Sequence, residues 1–282
     1  MLVLGAISDL HFGPEARHLG KLRKLTASAA ELTRAFVTRM NDVVRPDLIV
    51  NLGDDIEDEG LDADRARYHE CLTLLRQARA PLANVAGNHD TIHLKARDLL
   101  EAWRADGRPG SPAPEGDGPE LHYAFDRGGF HFVVLHTHEK KDVEITLGRR
   151  QLEWLTSDLA STRLPTVVLM HHSAAEQELR GNRWFEGRPE LCLVKERAEL
   201  RAIVHGAGKV VMVLNGHLHW NHLDVIDGIP YVTLQSLIEN LDDDAPGRAA
   251  AAHAVVRLTP ERVVIEVEGA ERARYQFDRA NR

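Results

Sequence analysis

Five short apolar runs in this chain end in the same kind of polar residue. LVLGAIS is followed by Asp9-Leu10-His11, DLIVNLG by Asp54, PLANVAG by Asn88-His89, TVVLM by His171, and KVVMVLNG by His217-Leu218-His219. Runs of this length, bounded by turn residues and rich in Val, Ile and Leu, read as buried strands. Between them lie segments of helical spacing: residues 21–44, with Leu22, Leu25, Ala29, Leu32, Phe36, Val37, Met40 and Val44 on one face, then 61–79, HLKARDLLEAWR, RRQLEWLTSDLAS and VKERAELRAIVHG. Strand–helix alternation predicts α/β layers around a largely parallel sheet. In such sheets the binding crevice lies at the carboxyl ends of the strands, which is where all five runs discharge an Asp, Asn or His.

The rest of the chain fills in the architecture. DGRPGSPAPEGDGP (106–119) reads as a loop, and LHYAFDRGGFHFVVLH as a hairpin turning at Asp126–Gly129. From about residue 220 successive strands follow: NHLDVID, IPYVTLQ, AHAVVRL, RVVIEVEG and ARYQFD. No linker divides the chain, so residues 1–282 are expected to form one domain, its two halves supplying two packed sheets.

Taken singly, each polar strand end is an ordinary cap or turn residue. Their recurrence at one topological point is what requires an explanation. Carboxylate, imidazole and amide oxygen together suit Mn, Fe or Zn. In an extended loop residues i and i+2 point the same way, so Asp9 with His11, and His217 with His219, are expected to converge. Seven donors without a cysteine are too many for one closed tetrahedral site. They suit two ions sharing a carboxylate, roughly 3.5–4 Å apart.

Composition narrows the partners. A formal charge of −8 gives no electrostatic footprint for long nucleic acid, so an anionic small molecule would need metal ions or arginines to hold it. Cys71 and Cys192 form no CxxC pair and read as reduced, structural thiols. No apolar run is long enough to span a bilayer, and MLVLGAISDLHFG lacks the basic start of a signal peptide. The expectation is a cytoplasmic protein with no membrane partner. A homo-oligomer is compatible with the sequence but not specified by it.

The series DLH, GDD, GNHD, HH and GHLH, spanning residues 9 to 219 in order, resembles the motif series of the calcineurin-like metallophosphoesterase superfamily. FVVLHTHEK followed by QLEWL resembles its phosphodiesterase branch. The resemblance implies a two-sheet αββα sandwich. It implies that Asp9, His11 and His219 hold one metal ion, that Asn88, His171 and His217 hold a second, and that Asp54 bridges the two. The alternation of VLMHHS favours His171 over His172 as the ligand.

His89 would stand outside the metal shell and protonate the leaving group, with Glu57 as its orienting carboxylate; Asp90 would be a helix cap or a supporting group. Asp55 and His136 depart from residues common in the family. The activity implied is hydrolysis of a small organic phosphodiester, such as a cyclic nucleotide or a glycerophosphodiester, by a hydroxide bridging two ions. A phosphomonoesterase or nucleotide pyrophosphatase on the same centre is the alternative, and a non-catalytic protein-binding scaffold a remote one.

Between His171 and the helix at Val194, SAAEQELRGNRWFEGRPELCL carries arginines and aromatics suited to a phosphate flanked by a ring. Arg180, Arg183 and Trp184, with Trp220 after GHLH, are therefore the expected substrate-binding residues.

Overall fold

A computed structural model of the chain describes residues 1–104, 111–112, 120–140 and 143–278. The five apolar runs are strands: Leu2–Ile7, Leu48–Asn51, Leu82–Asn84, Thr166–Leu169 and Val210–Asn215. Among the described residues they are divided between two large sheets. The first runs, edge to edge, Ala273–Asp278, Arg262–Glu268, His253–Leu258, Leu2–Ile7, Leu48–Asn51, Leu82–Asn84. The second runs His222–Ile226, Ile229–Thr233, Val210–Asn215, Thr166–Leu169, Phe130–Val134, Tyr123–Arg127, Ser111–Pro112. In each sheet the site-bearing strands pair in parallel; in the second sheet their neighbours Phe130–Val134 and Ile229–Thr233 are parallel to them too, and antiparallel pairs lie further out.

The continuous apolar character of these strands follows from burial on both faces. In the second sheet Phe132, Val134, Val167, Leu169, Met212 and Leu214 face the first sheet's Leu4, Ala6 and Val50. Their neighbours Val133, Leu135, Val168, Met170 and Val213 face the helices Arg149–Ser161 and Arg197–Gly206 through Leu152, Leu155, Leu200 and Val204. The other face of the first sheet is covered by Ala29–Arg39 and Leu61–Leu75, through Phe36, Val37, Leu72 and Leu75. The layers are therefore αββα, as expected. Each buried Leu, Val or Phe contributes about 1.5–3 kcal/mol by leaving water.

Three expectations change in detail. The sheets are not the two halves of the chain: His222–Ile226 and Ile229–Thr233 extend the second sheet, while the last three strands cross back and pair onto Leu2–Ile7. Residues 21–25 are not helical. A short turn at Thr26–Ser28 leads into the helix at Ala29, and the preceding chain is tied by Leu22 N to Asp243 O and Leu25 N to Ile238 O. This tertiary pairing outweighs the helical spacing and carries Lys24 towards the site. The reading of 106–119 as a loop lies outside the described residues, except that Ser111–Pro112 pair with Tyr123 and Ala124. The hairpin turns at Gly128 and Gly129, both at positive φ (58° and 82°), the backbone a two-residue turn requires.

Candidate metal centre

The carboxyl ends of the five parallel strands meet at one edge of the sandwich, and their polar residues converge there by an unexpected route. Asp9, His11, Asp54, His217 and His219 all have left-handed backbone, with φ between 46° and 68°. The DxH and HxH pairs are thus aimed by left-handed turns, not by extended alternation. Such conformations cost side-chain-bearing residues energy and persist where the surroundings over-determine them. Here backbone bonds from Asp9 N to Gly53 O and from His11 N to Asp54 O stitch the first two loops together.

Asp90 joins the second loop to the third. Its carboxylate accepts from the backbone N–H groups of Asp54 (3.0 Å), Asp55 (2.9 Å) and Gly87 (2.9 Å), so it is both cap and clamp. Burial and the Asp54 charge push Asp90 up to about 7. Gly87 itself is extended (φ −88°), and it is glycine because a Cβ there would lie 2.1 Å from Asp54 Oδ1. A Cβ at Gly216 would likewise collide with Ser8 Oγ at 1.9 Å. Asp55 is buried, accepts from Asn51 Nδ2, and is held well above the usual carboxylate range by burial and by Asp90.

Two groups of donors form on either side of Asp54. On one side His11 Nε2 and His219 Nε2 face each other at 3.3 Å. Asp9 Oδ1 lies 3.5 Å from His219 Nε2 and 4.0 Å from His11 Nε2. Its partner oxygen Oδ2 accepts from Ser8 Oγ (2.5 Å) and His217 N (3.1 Å), but Oδ1 is buried with no hydrogen-bond partner. On the other side His171 Nε2 lies 3.1 Å from Asn88 Oδ1, and a nitrogen of His217 lies within 4.8 Å of His171. Asp54 Oδ2 stands between the groups, 3.8 Å from His11 Nε2 and 3.2 Å from His171 Nε2.

Each histidine has one nitrogen engaged by a neighbouring group, and for His11, His171 and His219 the other faces this centre. His11 Nδ1 is 3.0 Å from Glu57 Oε2, His219 Nδ1 2.8 Å from Glu239 Oε2, His171 Nδ1 2.8 Å from Leu52 O, and His217 Nε2 3.0 Å from Leu191 O. Backing of this kind fixes the tautomer of a metal-ligating imidazole. His172 instead bonds Thr137 Oγ1 (2.7 Å) and Glu139 Oε2 (3.2 Å), so His171 is the histidine directed at Asp54.

The electrostatics of the cluster suit a cation. Burial pushes Asp54 upward, yet His171, His89 and His11 hold it well below the usual carboxylate range. Burial lowers His171 and His219, but Asp54 and Asp9, with Glu239, raise them to about 10 and about 9. Imidazoles held so by carboxylates would release protons on binding a metal ion. The orphaned Asp9 oxygen, the facing imidazole nitrogens and the central Asp54 oxygen fit a pair of metal ions.

His89 stands beside this centre. Its backbone N donates to Asp54 Oδ1 (2.9 Å), and its Nδ1 is 2.5 Å from Asp58 Oδ1. The orienting carboxylate is thus Asp58, not Glu57. Glu57 is drawn away by Lys24 Nζ (2.7 Å) and by His11. Burial and Lys24 depress His89, but Asp54, Asp58 and Glu57 outweigh them and raise it above the ordinary imidazole value.

A cleft of about 350 Å³ opens over the centre, lined by Arg17, His18, Lys24, Glu139, Trp184 and Phe185 among others. Of the expected substrate residues only Trp184 lines it. Arg180 is exposed and pairs with Glu178, and Trp220 donates to Gln177 Oε1 and stacks on His222. Arg183 bonds Glu239 Oε1 (3.0 Å), Asn240 O (2.7 Å) and Asp243, and so lies behind the centre. Asp58, Lys24, Glu139 and Glu239 were missed by sequence reasoning. Asp58, in the acidic run GDDIED, and Glu139, within FVVLHTHEK, lay in stretches already singled out, whereas Lys24 and Glu239 did not. His136 is buried away from the cleft, paired with Gln151 through its backbone.

Comparisons with known proteins identify relatives of the chain and of its fold. A curated relative, a probable cyclic nucleotide phosphodiesterase of Psychrobacter sp. (strain PRwf-1), is 24% identical over 191 residues, covering 67% of this chain and 52% of the relative. Purple acid phosphatase 15 of Arabidopsis thaliana is 31% identical over 163 residues, covering 54% of this chain and 26% of that protein. The chain thus spans about half the length, or less, of these relatives. A crystal structure of a dimetal phosphatase from Danio rerio superposes with a TM-score of 0.77 at 16% identity, covering 99% of both chains. The purple acid phosphatase PPD1 of yellow lupin gives 0.71 at 12% identity, covering 99% of this chain and 54% of that one. The family model for calcineurin-like phosphoesterases matches residues 2–221, and the chain belongs to that family.

Proposed function

We propose that the protein is a dinuclear-metal-dependent hydrolase of a small organic phosphodiester. The observation that carries this reading is the placement of His89, clamped by Asp58 and bonded through its backbone to Asp54, beside two donor groups that share Asp54. Asp9, His11 and His219 would hold one ion, Asn88, His171 and His217 the other, and Asp54 both. Mn, Fe and Zn suit this donor set. When bound, the ions would neutralise phosphate oxygens and make water acidic enough to supply a nucleophile near neutral pH.

The remaining work falls to the chain's own groups. Water, having given up one proton to solvent, bonds through its oxygen to phosphorus as the bond to the leaving oxygen breaks, and His89 delivers its proton to that leaving alkoxide. Asp58, bound at Nδ1, leaves Nε2 as the nitrogen that carries the proton to the substrate. A diester is favoured because Glu139 lines the cleft beside His172, where the second negative charge of a monoester would meet a carboxylate. Relatives named as probable cyclic nucleotide phosphodiesterases support the same choice. The phosphomonoesterase reading keeps support from the match to Purple acid phosphatase 15.

Leu2–Ile7 is flanked by an early strand and a late one, which supports one domain through residue 278. No described helix is long and apolar enough to cross a membrane. Two buried free thiols, Cys71 and Cys192, support a reducing, cytoplasmic setting.

The test is a metal-reconstituted assay with bis-p-nitrophenyl phosphate, p-nitrophenyl phosphate and cyclic nucleotides. Diester turnover is expected to exceed monoester turnover, and His89→Ala to reduce it about 10²–10⁴-fold with metal content retained. Monoester turnover far above diester turnover would establish the alternative. No turnover of any ester with both metals bound would favour a scaffold.

A further inference from the structure

On the diester reading proposed above, we infer that Glu139 and Phe185 form a subsite for an ammonium group, carried on the alcohol arm that stays on phosphorus. Three carboxylates line the cleft among the described residues: Asp54, Glu57 and Glu139. Asp54 stands between the two donor groups, and Glu57 pairs with Lys24. Glu139 is half-buried, pairs with no described Lys or Arg, and meets only the imidazole of His172, at 3.2 Å. Thr137 Oγ1 bonds the other nitrogen of that ring at 2.7 Å, which leaves Nε2–H to donate to Glu139 from a neutral imidazole. A carboxylate kept partly from water with no cation beside it is unfavourable. An arriving ammonium supplies the missing charge.

The rings near Glu139 suit the same ligand. Phe185 stacks on His217 with centroids 4.7 Å apart, and His172 lies 4.0 Å from His217. Phe185 and Glu139 therefore both border the His217 end of the cleft. An ammonium placed over an aromatic face is attracted by the ring, and here a carboxylate stands nearby. Trp184, the other large ring of the lining, already has Arg23 and Lys24 at 5.6 Å and 5.4 Å from its centroid, whereas no described cation lies over Phe185. The basic groups of the lining are already engaged. Lys24 lies at the opposite end, 3.3 Å from His11 Nδ1 and bonded to Glu57, and Arg17 pairs with Glu15 at 3.0 Å.

His89 fixes which arm this is. Its ring meets His11, with centroids 4.9 Å apart, on the donor group across Asp54 from His217. The leaving oxygen lies towards His89, so the arm over Glu139 is the one that remains on phosphorus.

The experiment compares two diesters on the full chain reconstituted with Mn²⁺. One is p-nitrophenyl phosphocholine; the other is p-nitrophenyl 3,3-dimethylbutyl phosphate, in which carbon replaces the quaternary nitrogen. Both release p-nitrophenolate, so the ratio of their kcat/KM values reads the retained arm alone. The choline ester is expected to be favoured about tenfold, mainly through KM. Glu139→Gln should bring the ratio to within about twofold of unity, and Phe185→Leu should lower it about threefold. The ratio is internal to each variant, so a general loss of activity does not blur it. A ratio near unity in the native protein, or a preference that Glu139→Gln leaves intact, would overturn the inference while the diester reading stands. If circular dichroism shows Glu139→Gln unfolded, Phe185→Leu decides, and an unchanged ratio overturns the inference. No turnover of either ester with both metals bound would overturn the diester reading, and this inference with it.

Discussion

The floor of the cleft and the wall above it are held in place differently. Floor donors hang from strand ends whose positions are set by sheet hydrogen bonds, with the loops between them stitched backbone to backbone. The wall, residues 173–193, leaves the second sheet after His171 and is fixed by side chains. Asn182 Nδ2 donates to Leu218 O, while its Oδ1 accepts from Trp184 N and Phe185 N. The wall then turns its polar groups inward: Arg183 and the indole N–H of Trp184 both end on Glu239, the carboxylate behind His219. What faces the cleft is mostly ring, with Phe185 stacked on His217 and Trp184 against His219. A segment that reads as a phosphate-binding wall is in large part a buttress for the floor.

That contrast is broken or sharpened by four variants. The largest effect is expected for Arg183→Met, which removes the cation that anchors Glu239. Metal affinity should fall about 10–100-fold, with KM unchanged once saturating metal is restored. A raised KM at full metal occupancy would return Arg183 to substrate binding and erase the distinction.

Asp58→Asn comes next, with a loss in kcat of about tenfold. His89 is raised above the ordinary imidazole value in part by Asp58, so it stays protonated to higher pH. Removing that carboxylate lowers its pKa, and the proton donor is lost earlier as pH rises. The alkaline limb of the rate profile should therefore move to lower pH. An unmoved limb would show that Asp58 does not set the protonation of His89.

The smallest effect is expected for Arg180→Ala, on the wall, and Trp220→Leu, beside it, since neither residue lines the cleft. Steady-state KM and kcat should stay within about twofold, as for surface changes remote from a site. A larger rise in KM for either would extend the substrate site beyond the described lining.

The legible parts of the molecule have short-range causes. Asp9, His11, Asp54, Asn88, His89, His171, His217 and His219 all follow apolar runs directly, which places them at the carboxyl ends of strands in the two sheets. The pairing of His171, rather than His172, with Asp54 follows the same alternation. Helical spacing misled at 21–25, because hydrogen bonds to Ile238 and Asp243 hold that segment extended. The resemblance misled at Glu57, where a neighbouring carboxylate, Asp58, has the better reach to His89.

The sequence by itself determined the layered α/β architecture and the set of donors at its strand ends, since both arise from periodicity and from residues adjacent in the chain. Only the tertiary structure decided which group stands behind each donor. Lys24 reaches Glu57, Glu239 reaches His219 and Arg183 reaches Glu239 across separations of 33, 20 and 56 residues. Such partners are chosen by where folded loops meet, and buried charges take whichever opposite charge or hydrogen-bond donor the packing brings within about 3 Å.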